Sequence, residues 1–222
     1  MTNEQPDKAT DAPAPEATSE YDIRTVAALR EVIGTEVPGL ADKNLAKLDS
    51  YGRDFIAKSP FIVLATSDAQ GNLDASPKGD APGFVHVEDE VTLLIPDRPG
   101  NKLAYGHLNV IENPRVGLIF MIPGTPETLR INGDATLSSD PVLLEKLAAR
   151  GKSATLVMRV RVREMFFHCA KAFMRSGLWQ PDQWPARHRV SFGEMFAAQR
   201  NEPEATAQVI DQFVQDDYDN NL

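Results

Sequence analysis

Residues 61–80 read FIVLATSDAQGNLDASPKGD. The first six, Phe61 to Thr66, are a short apolar run bounded by turn residues, which predicts a strand. Asp68-Ala69-Gln70-Gly71-Asn72 is turn chemistry, because Gly and Asn adopt left-handed backbone angles at little cost. Leu73 to Lys78 predicts a returning strand, so the stretch is a β-hairpin. Pro77 has no N–H to give to a ladder, which places the second strand at an edge or where pairing stops. The hairpin's end, Asp74 to Asp80, gathers a hydroxyl, a lysine and a glycine. Such a strand end offers Ser76 and Lys78 to a ligand, and the same residues also make ordinary solvated turns.

Downstream, Phe84 to Val87 and Val91 to Ile95 form a second hairpin across Glu88-Asp89. Val116 to Ile122 is apolar enough to predict a strand covered on both faces. Leu129 to Leu137 is the next strand. Asp140-Pro141 opens a helix as N-cap and first helical residue, and Gly151 is expected to end it. From Leu156 the residues alternate: Leu156, Met158, Val160 and Val162 face one way, and Val157, Arg159, Arg161 and Arg163 the other. The arginine face reads as solvated or salt-bridged. Upstream, Val26, Leu29, Val32 and Ile33 have helical spacing. A second helix is expected from about Leu40 to Ala57, stopped by Ser59-Pro60. Helices are also expected over Phe192 to Arg200 and Pro203 to about Val214, with Asp216 to Leu222 frayed. Six or seven strands joined by turns too short for a parallel crossover predict a mainly β fold with flanking helices, closed as an antiparallel barrel. The expected organisation is a disordered tail over residues 1–20 and a single domain over 21–222. That domain is helical over 21–58, a barrel over 59–167 and a helical C-terminal extension over 168–222.

The 222 residues are 42% hydrophobic and 25% charged, ordinary for a globular protein. A single cysteine, Cys169, excludes an intrachain disulfide framework, and with four scattered histidines it argues against a thiolate zinc site. The simplest reading of Cys169 is a small buried hydrophobe. No apolar run approaches the roughly 18 residues of a membrane span, and the polar, acidic N-terminus does not resemble a secretory signal, so a cytoplasmic location is expected. A net charge of -9 argues against non-specific nucleic-acid binding but allows a local basic pocket.

Two further segments can carry chemistry. Ile95-Pro96-Asp97-Arg98-Pro99-Gly100-Asn101-Lys102 leaves a buried strand and is expected to enter a helix running to about Asn109. Arg98, Asn101 and Lys102 then stand where the helix presents unpaired N–H groups, a seat for a phosphate. The spacing is not that of a P-loop. The second segment is His168 to Trp179, HCAKAFMRSGLW. As a helix it would put Lys171 and Arg175 on one face, with His168 beside them, like charges that an anion would reconcile. His168 also reads simply as a hydrogen-bonded structural histidine. No serine, histidine and acid are arranged as a hydrolase triad, and no catalytic side chain is assigned.

The run from about Phe61 to Phe167 resembles the FMN-binding split barrels related to pyridoxamine 5'-phosphate oxidase. The resemblance lies in the order FIVLATSDAQGNLDASPKGD, then IPDRPGNKLAYGHLNVIENPRVGLIF, then TLRINGDATL. It is carried by Glu112-Asn113-Pro114-Arg115-Val116 leading into an apolar strand and by Arg130-Ile131-Asn132-Gly133 after it. The segment HCAKAFMRSGLW looks like that of an uncharacterised branch of this superfamily. The resemblance implies a homodimer with FMN at the subunit interface. Matched onto this chain, it implies that Ser76 and Lys78 contact the flavin and that Ile95, Pro96 and Asp97 approach its ring through the backbone. Arg98, Asn101 and Lys102 would hold the phosphate, and Thr128 or Arg130 would approach the ring. His168, Lys171, Arg175 and Trp179 would come from the C-terminal segment, in one version from the other subunit. The implied activity is hydride transfer between NADH or NADPH and a small substrate. The alternatives are a flavin-binding protein without turnover and a split barrel holding haem or a deazaflavin. One departure points away from vitamin B6 oxidation: the oxidase ends in an arginine- and proline-containing segment, whereas this chain continues past Trp184 into an acidic helical tail.

Overall fold

A computed structural model describes residues 19–100 and 102–221. The tail expected over residues 1–20 therefore falls almost wholly outside the described residues. Seven strands form one antiparallel sheet: β1 (Phe61–Ser67), β2 (Leu73–Gly79), β3 (His86–Val87), β4 (Thr92–Pro96), β5 (Arg115–Met121), β6 (Thr128–Ser138) and β7 (Val157–His168). Their spatial order is β2-β1-β5-β6-β7-β4-β3. The expected hairpin closes with Leu64 opposite Ser76 and Val63 opposite Pro77. β2 is an edge strand, which is where Pro77 is tolerated.

One face of the sheet encloses the core. Ile62 and Leu64 of β1, Leu118 and Phe120 of β5, and Leu129 and Ile131 of β6 are essentially excluded from water. Truncating any of these to alanine would cost roughly 2–5 kcal/mol. β5 is not covered on both faces: it alternates, with Val116, Leu118 and Phe120 buried while Ile119 is 37% exposed. An antiparallel sheet needs only one face against its core, and Ile119 lies on the other.

β6 and β7 are the longest strands, and their pairing carries a bulge. Asn132 pairs with Glu164 and Gly133 with Val162, so the register skips Arg163. An extra residue reverses the alternation. Before the bulge Met158, Val160 and Val162 are buried; beyond it Met165 takes the core position, which turns Glu164, Phe166 and His168 to the opposite face. Gly133 is required there, since a Cβ would stand 2.4 Å from the Arg161 carbonyl oxygen. The arginine face of β7 is salt-bridged as expected, Arg159 to Glu88 and Arg163 to Asp134.

The flanking helices are α1 (Val26–Ile33), α2 (Ser50–Lys58), α3 (Tyr105–Glu112), α4 (Pro141–Lys146), α5 (Lys171–Ser176), α6 (Phe192–Arg200) and α7 (Glu204–Asn221). The helix expected over 40–57 is shorter. Leu40–Lys43 is a 3-10 turn, and α2 begins where Asp49 caps the Gly52 N–H. Between them Leu45 exchanges two backbone hydrogen bonds with Met165, at 2.9 and 2.8 Å, so its apolar side chain is held by a bridge to β7 rather than by a helix. α4 stops at Lys146, before Gly151, and α7 runs through the residues expected to fray. α6 and α7 pack against each other, where Gly193 meets the Ala207 backbone. No described helix is long and apolar enough to cross a membrane.

Candidate functional site

The two ends of the sheet, β2 on one side and β3-β4 on the other, approach each other without sharing a ladder. Side chains hold the seam instead. Lys78 Nζ lies 3.5 Å from Asp97 Oδ1. Arg98 Nε donates to Asp80 Oδ2 at 2.8 Å, and Arg98 Nη1 donates to the Leu147 carbonyl at 2.9 Å. Arg150 adds a second guanidinium 3.5 Å from Asp80. Burial works to raise the Asp80 carboxyl, but the Ala81 N–H and the two arginines outweigh it and hold it below the usual carboxylate range.

Along this seam opens a cleft of about 630 Å³, within the ordinary range for small-molecule sites. Its β2 wall follows from strand alternation: Asp74, Ser76 and Lys78 are half-buried and line the cleft, while Leu73, Ala75 and Pro77 face out. Its other walls are residues 97–100 and 102–104, the first residues of α3, and Thr155 and Leu156 ahead of β7.

α3 begins at Tyr105, later than the region near Lys102 where the sequence places its start. Lys102 and Ala104 take left-handed angles, φ 61° and 56°, which a helix cannot include. The N–H groups of its first turn have no carbonyl of their own helix to bond, and Tyr105, Gly106 and His107 of that turn border the cleft. The helix is anchored by buried Val110 and by Asn109, whose Nδ2 donates to Thr66 Oγ1 at 3.1 Å. His107 has a side chain 14% exposed, with Nε2 3.5 Å from Asp97 Oδ1. Burial lowers its imidazole, Lys78 adds to this, and Asp97 and Asp74 oppose without prevailing, so the ring is neutral near pH 7. Asp74 presents a buried Oδ2 that takes no hydrogen bond. A Cβ at Gly106 would stand 3.2 Å from that oxygen, so a glycine opens the space beside it.

The cleft gathers Ser76, Lys78, Asp97, Arg98 and Lys102 among the residues singled out from sequence. Arg98 differs from expectation in its employment, since two of its three nitrogens are already bonded across the seam. Asn101 lies outside the described residues. Ile95 and Pro96 are buried in β4 opposite Met158 and Val157, leading into the cleft rather than lining it. Asp74, Tyr105, Gly106 and His107 were not singled out as ligand contacts; the two-residue alternation from Ser76 and Lys78 reaches Asp74, whereas nothing local marks His107.

The remaining residues gather elsewhere. Thr128 is buried opposite His168. Arg130 pairs with Glu164 at 2.8 Å and lies 4.1 Å from the Phe166 ring centre, and Lys43 lies 5.0 Å from the same centre. The His168 ring packs edge-on to Phe166, and burial, then Arg130 and Lys43, lower its pKa. His168 thus belongs to β7 and not to the helix carrying Lys171 and Arg175, which are both exposed on α5. Trp179 stacks on Phe173 with centroids 5.5 Å apart, and its Nε1 donates to the Thr125 carbonyl at 3.0 Å. Cys169 is exposed, because it sits on the connection between β7 and α5 rather than in either layer. Among the described residues no three His, Cys, Asp or Glu gather as a metal site.

Residues 49–169 match the model of the family described as pyridoxamine 5'-phosphate oxidase. Similar solved structures include the HupZ protein of Group A Streptococcus, 18% identical with a TM-score of 0.45, over 54% of this chain and 98% of that one. A protein of the pyridoxinephosphate oxidase family from Clostridium acetobutylicum, related to general stress protein 26, is 10% identical with a TM-score of 0.42, over 53% and 85%. An FMN-binding protein from Syntrophomonas wolfei is 8% identical with a TM-score of 0.42, over 53% and 83%. Comparison with curated proteins finds no match.

Proposed function

The chain belongs to the pyridoxamine 5'-phosphate oxidase family, and from that premise we propose that it is an FMN-dependent oxidoreductase transferring hydride between reduced nicotinamide and a small substrate. The observation that carries this is the seam cleft, where Lys78 and Lys102 stand beside the first turn of α3. A phosphate monoester carries close to two charges and calls for several charge-assisted hydrogen bonds. Lys102 and the start of a helix supply them, with Lys78 lining the same cleft. The cleft also fits the rest of the group, since the unpartnered Asp74 oxygen and the space at Gly106 suit a ligand portion that brings donors of its own.

In this reading Lys102 and the α3 N–H groups hold the phosphate, and Ser76 and Lys78 line the path from it toward the ring. Arg98 fixes the walls through Asp80 and Leu147. Neutral His107 adds no positive charge to the site and lies 3.5 Å from Asp97. The flavin, when bound, supplies the hydride chemistry, so no side-chain nucleophile is needed.

The unit we propose is a cytoplasmic homodimer with FMN at the interface. The outer sheet face supports it: Phe61 is 36% and Ile119 is 37% exposed, and Ile119 lies directly opposite Val63. Arg130 is the cross-strand partner of Ile119 on that face, so pairing through it would cover the Arg130, Phe166 and His168 group.

The test is the flavin released on denaturing the purified protein, followed by anaerobic reduction of the holoprotein. Release of FMN, bleaching of the visible flavin absorption by NADH or NADPH, and twice the chain mass in sedimentation are expected. Release of FAD alone, or no flavin retained after reconstitution, overturns the cofactor. Bound FMN that neither nicotinamide reduces makes the protein a flavin carrier.

A further inference from the structure

The other carboxylates of the seam each have a cation beside them. Lys78 faces Asp97, and Asp80 faces Arg98 and Arg150. Asp74 stands apart: its Oδ2 is buried, accepts nothing, and borders the cleft. The positions around it are also unusual. A Cβ at Gly106 would stand 3.2 Å from that oxygen, 3.6 Å from Thr66 Oγ1 and 3.8 Å from Ser76 Oγ, and the glycine leaves this space open. A buried acceptor without a donor is a standing cost to the fold, and groups that carry it are uncommon in native proteins.

We propose that the Asp74 carboxylate is a specificity-determining acceptor for a hydroxyl of the polyol chain that joins a flavin ring to its phosphate. This rests on the reading of the cleft as an FMN site. The partner has to be a donor, which excludes the phosphate itself, repelled by a carboxylate. Asp74 lies four residues from Lys78 on the same face of β2, roughly 13 Å along a strand. In that reading the phosphate sits on Lys102 and the first N–H groups of α3, with Lys78 toward the ring, so what reaches Asp74 beside Gly106 is the hydroxyl-bearing part of the ligand next to the phosphate. A polyol offers several O–H donors there, and the absent side chain at Gly106 gives them room. Asp74 therefore distinguishes a ligand that carries the polyol from phosphate or ring alone.

The experiment compares wild type, Asp74→Ala and Asp74→Asn, each as the full chain. FMN, riboflavin and lumiflavin, which keeps the ring but lacks the polyol, are titrated by flavin fluorescence, and the melting temperature of each apoprotein is measured. Asp74→Ala is expected to weaken FMN and riboflavin alike by about ten- to a hundredfold, the range for a hydrogen bond to a charged group. Lumiflavin binding stays within about twofold by the same argument. Asp74→Asn, which keeps an acceptor oxygen, falls between. The apoprotein of Asp74→Ala melts higher by about 2–4 °C, because the unpaired acceptor is gone. A lower melting temperature makes Asp74 a structural residue and overturns the proposal. Equal weakening of lumiflavin overturns it in favour of a ring contact. Unchanged FMN affinity overturns it while leaving the FMN reading intact; failure of wild type to bind any of the three removes both.

Discussion

Replacing Arg98 with methionine separates a residue that holds the walls of the cleft from one that holds the ligand. The substitution keeps the length of the stem and removes two hydrogen bonds, 2.8 Å to Asp80 and 2.9 Å to the Leu147 carbonyl. The Asp80 side chain is only 6% exposed, and the cation left to it is Arg150, 3.5 Å away and 59% exposed. A charge-assisted hydrogen bond contributes about 1.5–3 kcal/mol, and the stranded carbonyl adds to the loss. A total of about 2–4 kcal/mol lowers the melting temperature of a chain this size by roughly 5–15 °C. The assay is thermal unfolding of the apoprotein at pH 7, with Asp80→Asn and the double variant completing a cycle. The double variant should lose less than the two single losses added together, by about 1 kcal/mol or more, as expected for groups in direct contact. An Arg98→Met protein that melts within about 2 °C of wild type but no longer prefers FMN to riboflavin refutes the reasoning. Arg98 would then be a phosphate ligand.

Two other perturbations follow from the geometry. Gly133→Ala drives a Cβ to 2.4 Å from a backbone oxygen of β7 and should cost about 1–3 kcal/mol, read as a lower melting temperature. Gly117→Ala meets nothing closer than 3.6 Å and should be tolerated, so equal behaviour of the two would count against the bulge geometry. Stability should also fall as pH drops below the ordinary histidine value of 6.5. Burial lowers His86, His107 and His168, so between 6.5 and their folded values the unfolded chain binds more protons than the folded one. The contribution is complete above 6.5 and is lost on the way down; melting temperatures from pH 7.5 to 5.5 check it, and a rise on acidification contradicts it.

Much of the barrel is legible in the chain because its signals are local. The hairpin over residues 61–80 shows two strands and a turn within a single window. The alternation after Leu156 shows which face is buried. What is not local is misread. Leu45 and Leu48 suit a helix, yet Leu45 is held by backbone bonds to Met165, 120 residues away, which no periodicity reports. The bulge that turns Phe166 and His168 away from the core depends on the fit of Gly133 against β7. In the site, Ser76 and Lys78 follow from strand parity, and parity extended by one more step includes Asp74. The late start of α3 is invisible because Lys102 and Ala104, not glycines, take the left-handed angles. With that start, His107 falls in the first turn, which borders the cleft. Arg98 reads as a free cation until Asp80 and Leu147 are brought beside it by closure of the sheet.

The central claim is that the start of α3 with Lys102 receives the phosphate of FMN. It is tested most directly by the ratio of FMN to riboflavin affinity in wild type and in Lys102→Met, both by fluorescence titration at one ionic strength. Wild type should bind FMN at least about tenfold more tightly than riboflavin, since one charge-assisted hydrogen bond accounts for that much. In Lys102→Met the preference should shrink by about tenfold, while riboflavin affinity and melting temperature stay at their wild-type values. A wild-type protein that binds both flavins equally, or a preference that survives Lys102→Met intact, contradicts the account and moves the phosphate away from this cleft.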